Sequence, residues 1–270
     1  TKALIRESGT VAPGSISTPS ASEVAAELSN PNSTLGSMSL YFDYLGMQGD
    51  LEGADSASAT KITFQPSMPY PISKTANFFF RPLFPLIVQQ EVPDGDGVEN
   101  KTFELGDIGY DLAVFNSWRN GLIFGGGMAG AIPTATDNAL GADRWTLGPE
   151  VILAVMKPWG VLGLIASHQW DVGGGGDDEI EVTGGQYIYS FNIKDGWVFA
   201  AGPTFSYNHK ADDGNKLTLP LGIGASKTAF LGGRAWKFGL QYWYYVESPD
   251  LFGPRHQLRL QVTPVVKLPW

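Results

Sequence analysis

The chain of 270 residues contains no cysteine and only three histidines. The lack of cysteine excludes disulfide bonds, thiol catalysis and thiolate metal sites. Because His168, His209 and His256 have no metal-ligand spacing to one another, we expect neither a metal nor a cofactor. Basic residues are also scarce, since 18 Lys and Arg stand against 27 Asp and Glu. The resulting net charge of −9 argues against a nucleic-acid partner.

Long hydrophobic runs are missing as well. No stretch approaches the roughly 18 apolar residues of a transmembrane helix, and mean hydropathy is −0.06, so helical membrane spans are excluded. A transmembrane β-barrel escapes this test because lipid-facing and lumen-facing residues alternate along its strands. The 12% of aromatic residues and the 34 glycines fit such a barrel, and a soluble β-sandwich could match them too.

The C-terminal stretch 257–270 alternates with period two. Leu258 and Leu260 fall on one face, and Arg259 and Gln261 fall on the other, so a strand here has one apolar and one polar side. The stretch is long enough to cross hydrocarbon on a tilted path. Together with the terminal Trp270, it resembles the last strand of bacterial outer-membrane barrels.

The same alternation repeats from about residue 34 onward and predicts twelve strands. These are 34–48, 60–70, 76–89, 102–116, 122–132, 145–156, 161–170, 185–193, 197–207, 217–231, 235–247 and 257–270. Their connections alternate between long acidic loops and tight turns, which is the layout of an outer-membrane barrel with its short turns in the periplasm. We therefore predict an all-β fold, a monomeric twelve-stranded antiparallel transmembrane β-barrel over residues 34–270.

Tryptophan placement supports the membrane barrel. Indole favours the headgroup level of a bilayer, so tryptophans beside turns predict an aromatic girdle at each rim. The predicted girdle residues are Trp118, Trp145, Trp159, Trp170, Trp197, Trp236 and Trp270. In the core of a soluble β-protein they would fall in mid-strand, where only Trp243 lies.

Residues 1–33 differ from the rest of the chain. They are rich in Ser, Thr, Pro and Ala, and Ser20 and Glu23 have the spacing of a capping box before one short helix. The segment has too few apolar residues to fold alone. We expect it to lie in the lumen, entering from the periplasmic side, and a disordered tail is the alternative.

The polar strand faces carry mixed charges toward the interior. The predicted pore-lining residues are Asp43, Arg81, Asp107, Asp111, Glu150, Lys237, Gln241, Glu247 and Arg259. A dry core would not tolerate them, so they must pair or meet water. A water-filled lumen explains all of them, and a fully paired structural network is the alternative. Inward aromatic residues could let weakly polar ring compounds pass, namely Tyr41, Phe79, Phe115, Trp243 and Tyr245.

A glycine-rich run at 125–130 has the spacing of a dinucleotide-binding motif. That motif requires a following helix, whereas Pro133 and a long loop follow here. We interpret these glycines as a strand feature that eases curvature or leaves lumen space.

The twelve strands, short turns, polar N-terminal arm and the ending Val-Lys-Leu-Pro-Trp at 266–270 resemble a known family. It is the proteobacterial outer-membrane channel family named for the meta-pathway of phenol degradation. The resemblance covers the chain from about residue 33 and implies a narrow channel for small hydrophobic or aromatic compounds, with the N-terminal segment inside the barrel. It transfers no catalytic residue.

The predicted function is passive, selective diffusion of small molecules across the bacterial outer membrane, without enzymatic activity. The predicted partners are outer-membrane lipid and a small-molecule substrate. Two alternatives stay open. One is an outer-membrane lipid-modifying enzyme, for which the outward-facing His168 would be the base, although no nucleophile signature accompanies it. The other is a structural or adhesive barrel whose acidic loops bind a partner.

Overall fold

A computed structural model of the chain describes residues 20–29, 35–176 and 178–269. Residues 1–19 and 30–33 of the predicted N-terminal segment, and the predicted girdle residue Trp270, lie outside the described residues. The described part contains one α-helix, α1 (Ala21–Ser29), and fourteen strand segments. In chain order the segments are β1 (Gly36–Gln48), β2 (Ser58–Pro71), β3 (Ala76–Asp94), β4 (Gly97–Leu105), β5 (Ile108–Ser117), β6 (Leu122–Ile132), β7 (Arg144–Lys157), β8 (Gly160–Gly174), β9 (Glu181–Asn192), β10 (Trp197–Ala201), β11 (Thr204–Asn208), β12 (Leu217–Leu231), β13 (Arg234–Glu247) and β14 (Gly253–Val266).

The fourteen segments make twelve strands of one wall. β4 and β5 pair with successive parts of β3, so they form one strand interrupted at Gly106 and Asp107. β10 and β11 both pair with β9 and β12, so they form another strand interrupted at Gly202 and Pro203. Two interruptions among fourteen segments therefore leave twelve strands.

The wall closes on itself. Every neighbouring pair is antiparallel, and β14 pairs with β13 on one side and with β1 on the other, from Gly36 opposite Val266 to Gln48 opposite Gly253. Closure gives every strand a neighbour on both sides, which is how an all-antiparallel sheet satisfies most of its backbone groups. The predicted closed barrel of twelve antiparallel strands is confirmed, and β6 and β12 have the predicted bounds.

The two faces of the wall differ as the alternation predicts. On β14, Leu258 and Leu260 are 46% and 47% exposed on the outside, whereas Gln257 and Gln261 are buried inside. Large apolar side chains are exposed in the same way around the wall, on Val151 and Leu153 of β7 for example. A continuous apolar exterior is the surface that hydrocarbon, rather than water, would cover.

Six of the predicted girdle tryptophans lie near the two ends of the barrel. Trp118, Trp159, Trp197 and Trp236 lie at the short-turn end, where Trp236 stacks on Phe238 with ring centroids 6.3 Å apart. Trp145 and Trp170 lie near the long-loop end, on β7 and β8. The mid-strand Trp243 is only 1% exposed and points inward.

Helix α1 lies inside the short-turn end of the barrel. Its capping box forms as predicted, because the Ser20 N–H donates to Glu23 Oε2 (2.7 Å) and the Glu23 N–H donates to Ser20 Oγ (3.2 Å). The Gly196 N–H, in the turn between β9 and β10, donates to Ser22 Oγ (3.0 Å). Val24 and Ala25 are buried, and the helix contacts β8, β9, β10, β12 and β13. Among the described residues, no helix has the length and apolar character needed to cross a bilayer.

Candidate functional site: a central cavity beneath a polar belt

The interior contains a cavity with about 1440 Å³ of empty space, including space open to solvent. Leu28 of α1 and Leu35 line its lower part, toward the short turns. Alternate residues of each strand point inward, and eleven of the twelve strands contribute at least one residue to the described lining. The exception is the glycine-rich β6. The cavity ends near mid-height, where charged and amide side chains meet across the lumen.

Arg81 on β3 crosses the lumen. Its Nε donates to Asp111 Oδ2 on β5 (2.6 Å), and its Nη1 donates to Gln186 Oε1 on β9 (3.4 Å). In the ring of twelve, β9 lies five strands from β3, which is nearly the opposite side of the wall. The Arg81 side chain therefore bridges the barrel and narrows any path through it.

Amide contacts continue this bridge along the wall. Gln186 Nε2 donates to the Gly202 carbonyl (2.7 Å), at the break between β10 and β11. The Gly202 N–H donates in turn to Gln241 Oε1 (3.2 Å), which also accepts from Trp243 Nε1 (3.0 Å). The interruption at Gly202 leaves these backbone groups without ladder partners, so side chains satisfy them.

A buried ion pair forms where the barrel closes. Arg259 on β14 donates from Nε to Asp43 Oδ1 (2.7 Å) and from Nη2 to Asp43 Oδ2 (2.9 Å). Its guanidinium lies between the rings of Tyr41 and Trp243, at 4.7 and 4.5 Å from their centroids. Gln257 Nε2 also donates to Asp43 Oδ1 (2.9 Å). We call the connected set the polar belt; its members are Asp43, Arg81, Asp111, Gln186, Gln241, Trp243, Gln257 and Arg259.

Below the polar belt, the cavity has two walls of opposite character. The apolar wall lies on β3, β5, β7, β8 and β9, and its members are Phe79, Phe115, Ile152, Ile165 and Ile188. The polar wall lies across the closure, on β1, β2, β13 and β14, and its members are Ser37, Ser39, Gln65, Ser67, Lys237, Gln261 and Thr263. Phe115 and Ile152 belong to a buried apolar cluster against which Phe79 and Ile165 pack, so the apolar wall is held in place. A bound molecule would therefore meet hydrocarbon on one side and hydrogen-bonding groups on the other.

The structure brings seven of the nine predicted pore-lining residues to the interior. These are Asp43, Arg81, Asp111, Glu150, Lys237, Gln241 and Arg259. Glu150 is 3% exposed, and its Oε1 has no hydrogen-bond partner within the part of the chain that the structure describes. Of the predicted inward aromatic residues, Tyr41, Phe79 and Phe115 line the cavity, and Trp243 and Tyr245 are buried above it.

Asp107 and Glu247 are not in the lumen. Asp107 lies at the break between β4 and β5, and its carboxylate accepts from the N–H groups of Thr134, Ala135 and Ala142, so it holds the loop after β6. Glu247 is exposed at the last position of β13, on the long-loop rim. The alternation predicts an inward position for both residues, and this prediction is wrong because alternation no longer determines the direction of a side chain where a strand breaks or ends.

Gln186 and Gln257 were not predicted as site residues. Both lie on polar strand faces, as the alternation shows, but nothing in the local sequence distinguishes these uncharged side chains from the other polar residues of the strands. Their partners are far away in the chain, since Gln186 meets Arg81 across 105 residues and Gln257 meets Asp43 across 214. No local signal announces such contacts.

The wall is interrupted beside the cavity. β10 pairs with β12 at Ala225 to Lys227 and β11 pairs with it at Leu217 and Thr218, which leaves residues 219–224 of β12 without a ladder partner on this side. Two outward tyrosines of β9 cross the gap: Tyr187 Oη donates to the Pro220 carbonyl (2.7 Å) and Tyr189 Oη to the Gly222 carbonyl (2.6 Å). Tyr189 also lines the cavity, so the cavity extends to this gap between the strands.

His168 lies on the outer face near the long-loop rim. Its Nδ1 is 2.6 Å from Thr183 Oγ1, and His209 Nε2 is 2.8 Å from the same hydroxyl. His168 also packs edge-on against Trp170. Across residues 20–29, 35–176 and 178–269, no three His, Cys, Asp or Glu side chains are grouped as metal ligands.

The sequence matches no protein-family profile and no curated protein. Among solved structures, the COG4313 outer membrane channel from Pseudomonas putida F1 has a TM-score of 0.63 to this chain at 16% identity, covering 95% of this chain and 100% of that one. LpxR from Salmonella typhimurium has a TM-score of 0.46 at 11% identity, covering 84% of this chain and 99% of its own. The toluene transporter TodX from Pseudomonas putida has a TM-score of 0.41 at 11% identity, covering 90% of this chain and 93% of that one. At 16% identity, the first similarity establishes a shared fold, that of an outer-membrane barrel.

Proposed function

We propose that this protein is an outer-membrane channel for passive, selective diffusion of small molecules with apolar or aromatic bodies. The observation that carries the proposal is a closed twelve-stranded barrel, apolar outside, that encloses a cavity with one apolar and one polar wall. A structure of an outer membrane channel shares the fold. The resemblance to the meta-pathway channel family points to the same substrates and stays a prediction.

The size of the barrel favours selectivity over bulk flow. Side chains fill an eight-stranded barrel, and a sixteen-stranded porin leaves a wide aqueous channel, so twelve strands give an intermediate lumen. Arg81 spans that lumen at the polar belt. A narrow path with fixed charges should pass small solutes slowly and discriminate among them.

Helix α1 narrows the path further in this proposal. It lies at the short-turn mouth, is hydrogen-bonded to Gly196, and contributes Leu28 to the cavity. We therefore assign residues 1–33 the role of a constriction that restricts passage between the cavity and the periplasm.

Single-channel recording in planar bilayers tests the proposal. The full chain is compared with a variant that lacks residues 1–33. We expect small currents from the full chain and larger, steadier currents from the truncated one. Small currents from both would keep the channel and remove the constriction role of α1. Silence from both, with folded barrels verified by circular dichroism, would remove the channel.

One observation favours lipid modification as a second candidate function. His168 and His209 share the hydroxyl of Thr183 on the outer face, where a lipid could reach it. A hydroxyl beside an imidazole is the pairing that nucleophilic catalysis uses. Acyl-ester hydrolysis that disappears in both His168→Ala and Thr183→Val would establish this function, and wild-type protein without hydrolysis on phospholipid or lipopolysaccharide would exclude it.

A further inference from the structure

We infer that the cavity selects small amphipathic acids and that Lys237 binds their anionic head group. The inference rests on the proposed channel function and names its substrate class. Three observations support it: the positive charge that lines the cavity, two polar side chains of the lining without partners among the described residues, and the contrast between the apolar and the polar wall.

The lining of the cavity carries positive charge without an equal negative charge. Arg81, Lys237 and Arg259 line it, and none of its described lining residues is an Asp or Glu. Arg81 is already paired with Asp111, and Arg259 is paired with Asp43. The ammonium group of Lys237 has neither a hydrogen bond nor an ion pair with any residue that the structure describes.

An ammonium group in such a position lacks what usually stabilises an interior charge. Interior charges are normally paired or fully hydrogen-bonded, because removal from bulk water is costly. Lys237 lies on β13 opposite Thr228 of β12 and Thr263 of β14, which are both buried, neutral and unable to balance its charge. An anion in the cavity would balance it, and hydroxyl groups beside it could donate to the same anion.

Ser190 is a second polar group of the cavity whose hydrogen-bonding capacity is unused among the described residues. It lines the cavity from β9, is 4% exposed, and its Oγ has no hydrogen-bond partner in the described part of the chain. A buried hydroxyl without a partner is unusual, because buried polar groups are nearly always satisfied. A ligand with polar atoms would satisfy Ser190 as well as Lys237, whereas a pure hydrocarbon would satisfy neither.

The opposite wall determines the rest of the ligand. Phe79, Phe115 and Ile152 present rings and branched side chains to the cavity, without a polar group among them. Gln241 of the polar belt lies four positions after Lys237 on β13, which is about 13 Å along a strand at roughly 3.3 Å per residue. A benzene ring with a short alkyl chain and an acidic group fits that span. A cation of the same shape would be repelled by Lys237.

Equilibrium binding to the purified full chain in detergent tests the inference. The probe is 4-butylbenzenesulfonate, whose head group stays charged at every pH used, and the matched probe is 4-butylphenyltrimethylammonium. We expect the sulfonate to bind at least about tenfold more tightly than the ammonium compound, and Lys237→Met to weaken sulfonate binding about tenfold. Lys237→Arg keeps the charge and should retain most of the affinity.

Lys61 provides the matched control. It also points inward, from β2 opposite Asp43, but it lies outside the cavity lining. Lys61→Met should therefore bind the sulfonate as the wild type does. Equal effects of Lys61→Met and Lys237→Met would overturn the assignment, because they would indicate a general loss of interior charge.

The same samples are recorded in planar bilayers, which separates failure of the inference from failure of the channel. Currents that persist while the wild type shows no preference for the sulfonate would overturn the inference and keep the channel. Absent currents with sulfonate binding that depends on Lys237 would support the binding site and overturn the channel. If Lys237→Met does not fold, the preference of the wild type between the two probes decides the inference alone.

Discussion

The ion pair between Asp43 and Arg259 should be a main determinant of barrel stability. It joins β1 to β14, the first and last strands of the wall, at the point where the barrel closes. Two hydrogen bonds of 2.7 and 2.9 Å connect the groups, and Asp43 is 5% exposed. We therefore predict large effects of Arg259→Met and Asp43→Asn on the free energy of unfolding.

The magnitude follows from the number and burial of the contacts. A hydrogen bond to a charged group contributes about 1.5–3 kcal/mol, so two give about 3–6 kcal/mol. Removing one partner of a buried pair leaves the other charge uncompensated, which destabilises by about 3–5 kcal/mol. We expect Arg259→Met at the upper end of that range, because it also removes the guanidinium from between Tyr41 and Trp243. The double variant removes both charges of the pair and should be more stable than Arg259→Met alone.

Urea unfolding in lipid vesicles, followed by tryptophan fluorescence, measures the four free energies of the cycle. The coupling energy between positions 43 and 259 should be at least about 2 kcal/mol, which is within the range for residues in direct contact. Strictly additive effects, or single variants within about 0.5 kcal/mol of the wild type, would falsify the reasoning.

Three further outcomes follow from the structure. Arg81→Ala removes the bridge to Gln186 and should raise single-channel conductance at least about twofold, whereas replacing the exposed rim residue in Arg255→Ala should leave conductance unchanged. Equal conductance in both variants would contradict a constriction at Arg81. Gly127→Ala places a Cβ 2.0 Å from the Leu112 carbonyl oxygen and should lower the free energy of unfolding by about 1–3 kcal/mol, whereas Gly97→Ala meets nothing within 4 Å and should be neutral; a neutral Gly127→Ala would show that the strands can separate there. Hydrogen bonds from Ser20 hold the pKa of Glu23 below its ordinary value, so the capping box stabilises α1 fully at pH values above the ordinary pKa and is lost as pH falls through the lowered pKa. Conductance should therefore rise at acid pH in the wild type and be high at every pH in Glu23→Ala. Identical pH profiles of the two proteins would refute this role of the capping box.

The glycine run at 125–130 shows that the surrounding secondary structure determines whether a sequence motif has its usual function. Gly125 and Gly127 lie in the middle of β6, which leads into a loop with one short 3-10 turn and then into β7, without the α-helix that the motif requires. Gly127 lies against the backbone of Leu112 and Ala113 on β5, which leaves no room for a side chain. The absence of a following helix was visible in the sequence, whereas the close approach of the neighbouring strand was not.

The alternation along each strand was sufficient to predict the wall. A strand exposes alternate residues to opposite faces whatever its neighbours are, so Leu258 and Gln257 were assigned to their faces from local order alone. Turn residues and loop lengths are local too, which is why twelve strands and the two ends of the barrel could be predicted. The same property explains the limits at Asp107 and Glu247, because phase is meaningful only while the strand continues.

Only the tertiary structure decided which inward residues meet. Whether Arg81 reaches Asp111 or Gln186 depends on strand stagger and on how the ring of twelve closes, and these are properties of the whole barrel. The alternation predicts that both Arg259 and Lys237 point into the lumen, and it does not distinguish them. The strand register does, because it places Asp43 opposite Arg259 and only neutral residues opposite Lys237. Alternation is a property of one strand at a time, whereas the pairing of charges across a lumen depends on strands that are distant in the chain.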